Sequence, residues 1–198
     1  MQLFSSNFKL GILGGGQLGK MLMYDAKRYD LHTKVMDSNH EAPCAKLADE
    51  FIVGDITDYD DVVSFGNKVD IITVEIEKIN TDALLFLEKN GKKVFPSANT
   101  LKIIQNKSDQ KEFYQQHNLP TSRFKNYSNL DELRNNFEKD NFEFPFVWKS
   151  SRFGYDGKGV KIIKNYDDLN FSFKNECLVE QKISIQKELS VIVARNIS

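Results

Sequence analysis

The stretch Pro145-Phe-Val-Trp-Lys-Ser-Ser-Arg-Phe-Gly-Tyr-Asp-Gly-Lys-Gly159 joins a short apolar run to a glycine-rich, charged loop. Residues 146–148 predict a strand that ends at a cation, Lys149, and residues 160–163 predict a second strand that returns. Glycines let backbone N–H groups approach an anion closely, and neighbouring lysines supply the opposite charge. The stretch therefore predicts a lid over nucleotide phosphates, while a solvated hairpin loop is the alternative interpretation.

The composition of the whole chain is that of a globular protein. Its 198 residues are 40% hydrophobic and 28% charged, with a net charge of −1. The charge gives no basic field for a nucleic acid, and no apolar run reaches the roughly 20 residues that span a bilayer. We therefore expect no nucleic-acid or membrane partner. Cys44 and Cys177 lie far apart and form no Cys-x-x-Cys pair, so we expect buried, reduced thiols and a cytoplasmic location.

Before the lid, short apolar runs alternate with helical segments. This alternation predicts a Rossmann-like parallel sheet with helices on both faces. The predicted strands are residues 9–13, 33–36, 51–53, 71–74 and 94–95. Three helices are predicted: the first begins at Met21, the second covers residues 59–66 and the third covers residues 81–90.

After Pro96 the pattern changes to helices followed by antiparallel strands. Residues 97–117 predict two helical pieces, with Ser108 as the N-cap of the second, and residues 129–140 predict an amphipathic helix. The predicted strands are residues 144–149, 160–163, 177–180 and 189–194. We expect two domains, 1–100 and 101–198, the second of them α+β. Because residue 198 follows a strand-rich region whose sheet is incomplete, we also expect the chain to be part of a longer protein.

The first glycine-rich turn has the spacing Gly14-x-Gly16-x-x-Gly19, and Asp37 closes the second predicted strand. This is also the dinucleotide-binding fingerprint, in which glycines approach a pyrophosphate and an acid binds a ribose. An NAD-binding module is thus one interpretation, and close packing of a strand on a helix is another. A dehydrogenase would normally continue the parallel sheet, which this chain abandons after residue 100.

Acidic residues follow two of the predicted strands. Glu75 and Glu77 come after residues 71–74, at the carboxyl end of the sheet, where such sheets bind ligands. They share a side if the strand continues, and Glu75 is a candidate for holding a polar group of a substrate. Glu180 ends a later strand and Glu188 follows it, so a carboxylate and neighbouring backbone groups could contact an adenine and a ribose. A connecting segment with solvated charges has the same pattern.

Five segments, taken in order, resemble the N5-carboxyaminoimidazole ribonucleotide synthase family, ATP-grasp enzymes of purine biosynthesis. The resemblance covers nearly the whole chain, and its most specific parts are Gly-Gln-Leu-Gly in the first segment and Gly-Tyr-Asp-Gly-Lys-Gly in the fourth. The segments are Gly11-Ile-Leu-Gly-Gly-Gly-Gln-Leu-Gly-Lys-Met21, Thr73-Val-Glu-Ile-Glu77, Gln105-Asn-Lys-Ser-Asp-Gln-Lys111, Lys149 with Gly154-Tyr-Asp-Gly-Lys-Gly159, and Val179-Glu-Gln-Lys-Ile183.

The resemblance implies a pre-ATP-grasp domain followed by part of an ATP-grasp domain. It also implies a homodimeric ligase that uses ATP, Mg²⁺ and bicarbonate to carboxylate 5-aminoimidazole ribonucleotide through carboxyphosphate. The implied ATP contacts are Lys107, Lys149, Gly154, Tyr155, Asp156, Gly157, Lys158, Gly159, Glu180, Gln181, Lys182, Ile183 and Glu188. The implied substrate contacts are Gly16, Gln17, Leu18, Glu75 and Tyr155, and the implied catalytic residues are Asp156 and Lys158.

Two departures from the family pattern change these expectations. Phe153 stands where many family members have a further glycine, which would stiffen the lid. The family's acidic Mg²⁺ ligands and its basic residues for the substrate phosphate lie beyond position 198, so we expect no metal site within this chain and no complete turnover by it. A formate-using glycinamide ribonucleotide transformylase, the NAD-binding module and a non-enzymatic regulatory fragment are the remaining interpretations.

Overall fold

The computed structural model of the protein describes residues 7–152, 154 and 159–194. Its chain divides between Asn106 and Lys107 into two units. The first unit holds a parallel sheet and the second an antiparallel one. The predicted α/β class, with an α+β second part, is therefore confirmed.

In the first unit, five parallel strands lie in the order β3-β2-β1-β4-β5. The strands are β1 (Lys9–Leu13), β2 (His32–Asp37), β3 (Glu50–Val53), β4 (Ile71–Val74) and β5 (Lys93–Phe95). The helices are α1 (Gln17–Arg28), α2 (Tyr59–Gly66), α3 (Thr81–Lys89) and α4 (Ala98–Ile104). The order reverses at β1, so the carboxyl end of β1 is the switch point at which such sheets bind ligands.

Side-chain caps fix where three of these helices begin. Asp58, Asn80 and Ser97 each accept a hydrogen bond from the backbone N–H three residues on. Such a cap satisfies one of the donors that a helix N-terminus leaves unpaired. These polar residues therefore explain why α2 and α3 begin where the sequence predicts.

Successive residues of β1 supply two separate cores, because side chains alternate between the faces of a strand. Ile12 packs with Met23 of α1, Val35 and Cys44 on one face. Leu13 belongs to a larger cluster that contains residues from α2, α3 and α4. Both faces of the sheet are therefore covered by helices.

In the second unit, four antiparallel strands lie in the order β6-β9-β7-β8. They are β6 (Phe124–Tyr127), β7 (Phe146–Ser150), β8 (Val160–Ile163) and β9 (Cys177–Gln181). The helices are α5 (Lys107–Gln116) and α6 (Leu130–Asn136), and Tyr166–Leu169 forms a short 3₁₀ helix. An aromatic cluster that includes Phe137, Phe146 and Trp148 forms the core.

Some sequence predictions are wrong at the level of single elements. Helix α1 begins at Gln17 rather than Met21, because Gly16 already occupies its N-cap. Ser108 lies inside α5 rather than capping it, and its hydroxyl hydrogen bonds to that of Ser151 over 2.7 Å. Helix α6 ends at Asn136 instead of residue 140. Strand β6 lies outside the predicted strands, because polar Lys125 and Asn126 interrupt its two aromatic residues and leave no continuous apolar run.

The predicted strand at residues 189–194 is also wrong. These residues have no regular secondary structure, and Leu189 and Ile192 are 88% and 96% exposed. Apolar and β-branched residues form a strand only where another strand supplies hydrogen bonds and a face to pack on. Among the described residues, none pairs with this segment.

Candidate functional site

The glycine-rich turn after β1 is fixed by hydrogen bonds from its own backbone. Gly14 has a φ of +96°, which a residue with a side chain rarely adopts, and its N–H donates to the Met36 carbonyl over 2.9 Å. The Gly15 N–H donates to Asp37 Oδ2 over 2.7 Å, and the Asn39 N–H donates to Asp37 Oδ1 over 2.8 Å. Asp37 is the acid that would bind a ribose in a dinucleotide site. Here it instead accepts hydrogen bonds from two backbone N–H groups.

Glu75 packs directly against this turn. A Cβ added at Gly16 would lie 2.5 Å from Glu75 Oε1, and one added at Gly14 would lie 2.9 Å from Glu75 Oε2. Only glycine lets the carboxylate come so close to the backbone. Gln17 and Leu18 begin α1 beside it and are exposed. The fold thus brings together Gly16, Gln17, Leu18 and Glu75, the four residues implied as substrate contacts in the first unit.

Glu77 does not lie beside Glu75 along a strand. The sequence expectation required β4 to continue, but β4 ends at Val74. The backbone carbonyls of Glu77 and Ile79 instead accept hydrogen bonds from Gln105 Nε2 over 2.6 and 2.8 Å. Gln105 therefore fixes the path of the chain after β4.

Cys44 lies under the turn as a buried thiol. Its N–H donates to the Gly15 carbonyl over 3.0 Å, and its Sγ lies 3.6 Å from the Gly16 carbonyl oxygen. Burial, followed by the negative charges of Glu75 and Asp37, raises the pKa of this thiol to about 11. The thiol is protonated at neutral pH, and Cys177 is likewise buried and free.

In the second unit, Lys149 and Glu180 form an ion pair across neighbouring strands. Lys149 lies on β7, and its Nζ is 2.8 Å from Oε1 of Glu180 on β9. Glu180 is buried, with 8% of its surface exposed. Burial raises the pKa of the Glu180 carboxyl. Hydrogen bonds from Lys149 and Ser122, together with the positive charges of Lys149 and Lys111, lower it by more, so that the pKa lies below its usual value. Glu180 is therefore ionised at neutral pH.

Two further side chains, Ser122 and Lys111, contact Glu180, and the sequence pattern predicts no role for either. Ser122 Oγ donates to Glu180 Oε2 over 2.8 Å, and Lys111 Nζ lies 3.2 Å from the same oxygen. Lys111 Nζ also donates to the hydroxyls of Thr121 and Ser122. The signal that could have identified Lys111 is its position four residues after Lys107, since helical residues at this spacing share a face.

The start of α5 is tied to the base of the lid. The Lys107 N–H donates to the Ser151 carbonyl over 2.8 Å, and the Ser151 N–H donates to the Glu176 carbonyl over 3.0 Å. Ser151 comes directly after Ser150, the last residue of β7, and Lys149 is the residue before Ser150. The fold thus brings Lys107 and Lys149, the two implied phosphate cations, to the same end of β7.

Of the predicted lid, residues 154–159, the structure describes only Gly154 and Gly159. Phe153, Tyr155, Asp156, Gly157 and Lys158 lie outside the described residues. Gly159 has a φ of +79°, and its carbonyl accepts from the Ser150 N–H over 2.9 Å. This bond continues the hydrogen-bond ladder between β7 and β8. The loop therefore connects the ends of two antiparallel strands, as predicted.

The implied adenine and ribose contacts continue from β9. Gln181 ends the strand, and with Lys182 it lines a polar cleft of about 340 Å³ beside Arg123. Lys182, Ile183 and Glu188 are exposed and lie outside regular structure. Their roles as nucleotide contacts stay predictions.

The described part of the chain holds neither a metal-ligand cluster nor a membrane-spanning helix. Residues 7–152, 154 and 159–194 contain no group of three or more His, Cys, Asp or Glu side chains that could hold a metal ion. Within the same residues, no helix has the length and apolar content needed to cross a membrane.

Family models match both units in turn. Residues 8–105 match the ribonucleotide synthetase preATP-grasp domain, and residues 112–198 match the ATP-grasp domain. The N5-carboxyaminoimidazole ribonucleotide synthase of Saccharolobus solfataricus is 34% identical over 192 residues, which are 95% of this chain and 50% of the relative. The chain thus spans half or less of the length of the curated relatives it matches here, from 34% to 50%.

Solved structures show the same relationship. The N5-carboxyaminoimidazole ribonucleotide synthetase of Thermotoga maritima is 35% identical with a TM-score of 0.80, covering 90% of this chain and 47% of its own. The N5-carboxyaminoimidazole synthase of Aspergillus clavatus, solved with ADP and 5-aminoimidazole ribonucleotide, is 25% identical with a TM-score of 0.76. That match covers 92% of this chain and 48% of the relative.

Proposed function

Because the chain belongs to the N5-carboxyaminoimidazole ribonucleotide synthase family of ATP-grasp proteins, we propose that it forms part of a ligase that carboxylates 5-aminoimidazole ribonucleotide. The observation that carries this proposal is the Aspergillus relative, which holds both ADP and 5-aminoimidazole ribonucleotide and aligns over 92% of this chain. The chain covers half or less of each relative, so the activity belongs to the full-length protein.

The proposed reaction has two steps. A bicarbonate oxygen attacks the γ-phosphorus of ATP, the bond to ADP breaks, and carboxyphosphate forms. The exocyclic amine of the ribonucleotide then attacks the carboxyl carbon, loses a proton and expels inorganic phosphate. Both steps require the neutralisation of phosphoryl charge and the exclusion of water from a short-lived anhydride.

On the nucleotide side, Lys107 and Lys149 carry the positive charge for the phosphates. Support comes from their position at one end of β7, where Gly154 and Gly159 begin and end the lid. Tyr155, Asp156, Gly157 and Lys158 complete the lid, with Asp156 and Lys158 as its catalytic side chains. The adenine and ribose contacts are Glu180, Gln181, Lys182, Ile183 and Glu188.

On the substrate side, the glycine-rich turn receives the aminoimidazole ribonucleotide. The close packing of Glu75 on Gly14 and Gly16 supports this role, because it leaves a carboxylate and a helix N-terminus at the switch point of the sheet. Gln17 and Leu18 are exposed at the same place. Tyr155, which lies outside the described residues, is the remaining proposed substrate contact.

The remaining parts of the proposal are a cytoplasmic homodimer and Mg²⁺ on the ATP phosphates. Bound Mg²⁺ would supply further positive charge to the transferring phosphoryl group. The described residues offer no acidic cluster for it, so no step is assigned to the metal on these side chains.

Calorimetric titration of the full-length protein with ATP tests the nucleotide site. We expect Lys149→Ala to weaken ATP binding at least about tenfold, because it removes a charge-assisted contact to phosphate. Lys125→Ala is the matched control, since Lys125 lies on β6 of the same sheet and pairs with Asp140, outside the candidate site. Equal ATP affinity in the wild type and Lys149→Ala would remove Lys149 from the site.

Phosphate release separates the related functions. Stimulation by 5-aminoimidazole ribonucleotide with bicarbonate supports the carboxylase, whereas stimulation by glycinamide ribonucleotide with formate supports a transformylase. Enhanced NADH fluorescence on mixing would instead support a dinucleotide site at the glycine-rich turn.

A further inference from the structure

Lys149 does not stand alone as a phosphate cation, because Glu180 opposes its charge. The two groups are 2.8 Å apart, and the Lys149 side chain keeps 27% of its surface exposed. A one-to-one lysine–glutamate pair is electrically neutral, and a neutral pair attracts a triphosphate weakly. An ATP site built on Lys149 therefore needs something that limits how far Glu180 cancels its charge.

Lys111 meets this requirement. Its ammonium lies 3.2 Å from Glu180 Oε2, while Lys149 lies on Oε1, so the two lysines divide the carboxylate between them. Both Lys111 and Glu180 side chains are about one-tenth exposed, which reduces screening by water. The Lys111–Glu180–Lys149 cluster has two positive charges and one negative charge, and its net charge is positive.

Lys111 is also held in place from its other side. Its Nζ donates to Thr121 Oγ1 over 2.6 Å and to Ser122 Oγ over 2.7 Å, and Ser122 in turn donates to Glu180 over 2.8 Å. These bonds satisfy the ammonium inside the protein. The Lys149 ammonium, in contrast, pairs only with Glu180 among the described side chains, and Lys149 lies next to the end of β7, from which the proposed lid begins.

We propose that Lys111 is a positioning residue of the nucleotide site. Lys111 holds the Glu180 carboxylate, so that this carboxylate orients Lys149 without cancelling its positive charge. Lys111 acts through Glu180 and does not touch the nucleotide. The proposal rests on the proposed function, because it gives Lys111 a role only if Lys149 binds ATP phosphates.

The test is ATP titration of the full-length protein carrying Lys111→Met. We expect about a tenfold loss of ATP affinity, as for the loss of one unit charge near a partly exposed phosphate site. Lys111→Arg keeps the charge and should stay within about twofold of the wild type. Lys125→Met, which removes one positive charge from a pair on the same sheet, should leave ATP affinity unchanged.

The salt dependence of ATP binding separates this role from a merely structural one. Because Lys111→Met leaves the Lys149–Glu180 pair electrically neutral, its ATP affinity should fall less steeply with rising salt concentration than the affinity of the wild type does. If Lys111 only supports the fold, the two proteins will show the same salt dependence, and the inference is overturned. Wild-type affinity in Lys111→Met would also overturn it.

The same titrations distinguish the two proposals. A wild-type protein that binds no ATP would defeat the proposed function and this inference together. A protein in which Lys149→Ala weakens ATP binding and Lys111→Met does not would defeat the inference alone.

Discussion

The two carboxylates at the candidate sites, Asp37 in the first unit and Glu180 in the second, bind different kinds of group. Asp37 accepts from two backbone N–H groups, at Gly15 and Asn39. Glu180 accepts from side chains, two lysines and a serine. One carboxylate therefore fixes the shape of a turn, and the other fixes the placement of charge.

This difference indicates how each site would respond to a ligand. A turn held by backbone hydrogen bonds and close glycine contacts cannot move without unfolding locally, so the first unit offers a preformed surface. An ion cluster on flexible side chains can exchange partners when a more highly charged anion arrives. The first unit thus depends on sterics and the second on electrostatics, and three variants test that contrast.

The largest effect is expected from Gly14→Ala in the first unit. Its φ of +96° disfavours a side chain, and the new Cβ would lie 2.9 Å from Glu75 Oε2. We expect a loss of about 2–4 kcal/mol in the free energy of unfolding, measured by urea denaturation. Gly91→Ala is the control: its φ is +83°, but no atom lies within 4 Å of the added Cβ, so about 1 kcal/mol is expected. Equal losses would show that the turn is not sterically defined.

An intermediate effect on stability is expected when low pH protonates Asp49. Like Asp37, this carboxylate of the first unit accepts a hydrogen bond from a backbone N–H group. Burial pushes its pKa up, but hydrogen bonds from Lys27 and from the N–H and hydroxyl of Thr33 lower it from 3.8 to about 2. A lowered folded pKa means that the stabilisation is present above pH 3.8 and is lost as the pH falls through about 2.

The measurement is the free energy of unfolding and the Thr33 amide shift as functions of pH. The Asp49→Asn variant should have a lower free energy of unfolding than the wild type at neutral pH. In this acid window its free energy of unfolding should depend less on pH than that of the wild type. Asp25→Asn is the control, since Asp25 forms an exposed pair with Arg28. An unchanged acid slope in Asp49→Asn would contradict the assignment.

The smallest effect is expected from Ser122→Ala in the second unit. The variant removes one hydrogen bond to Glu180, while the 3.2 Å Lys111–Glu180 contact remains. We expect ATP affinity to fall only about two- to threefold, because one neutral donor contributes modestly. Ser128→Ala removes a comparable bond to Glu132 elsewhere and should have no effect on ATP binding. A loss as large as that of Lys149→Ala would mean that hydrogen bonding, rather than charge, organises the cluster.

Every strand of the first unit could be predicted from the sequence to within one or two residues, whereas the start of α1 could not. Strands β1 and β4 and helix α2 have the predicted bounds, because buried parallel strands are continuous apolar runs and polar caps mark the helix starts. The second unit was harder to predict. Strand β6 is polar and is defined by its pairing with β9, and residues 189–194 are apolar without a pairing strand among the described residues.

Of the candidate site, the sequence by itself determined the glycine positions, the strand-borne Lys149 and three sets of acids, because each belongs to a local motif. These acids are Asp37 at the end of β2, Glu75 and Glu77 after β4, and Glu180 near the end of β9. Only the tertiary structure decided what those acids contact. Asp37 meets Gly15 across 22 positions, and Ser122 meets Glu180 across 58. Contacts between distant positions depend on strand order and register, which local patterns do not encode, and the pairing of Lys111 with Glu180 arises in the same way.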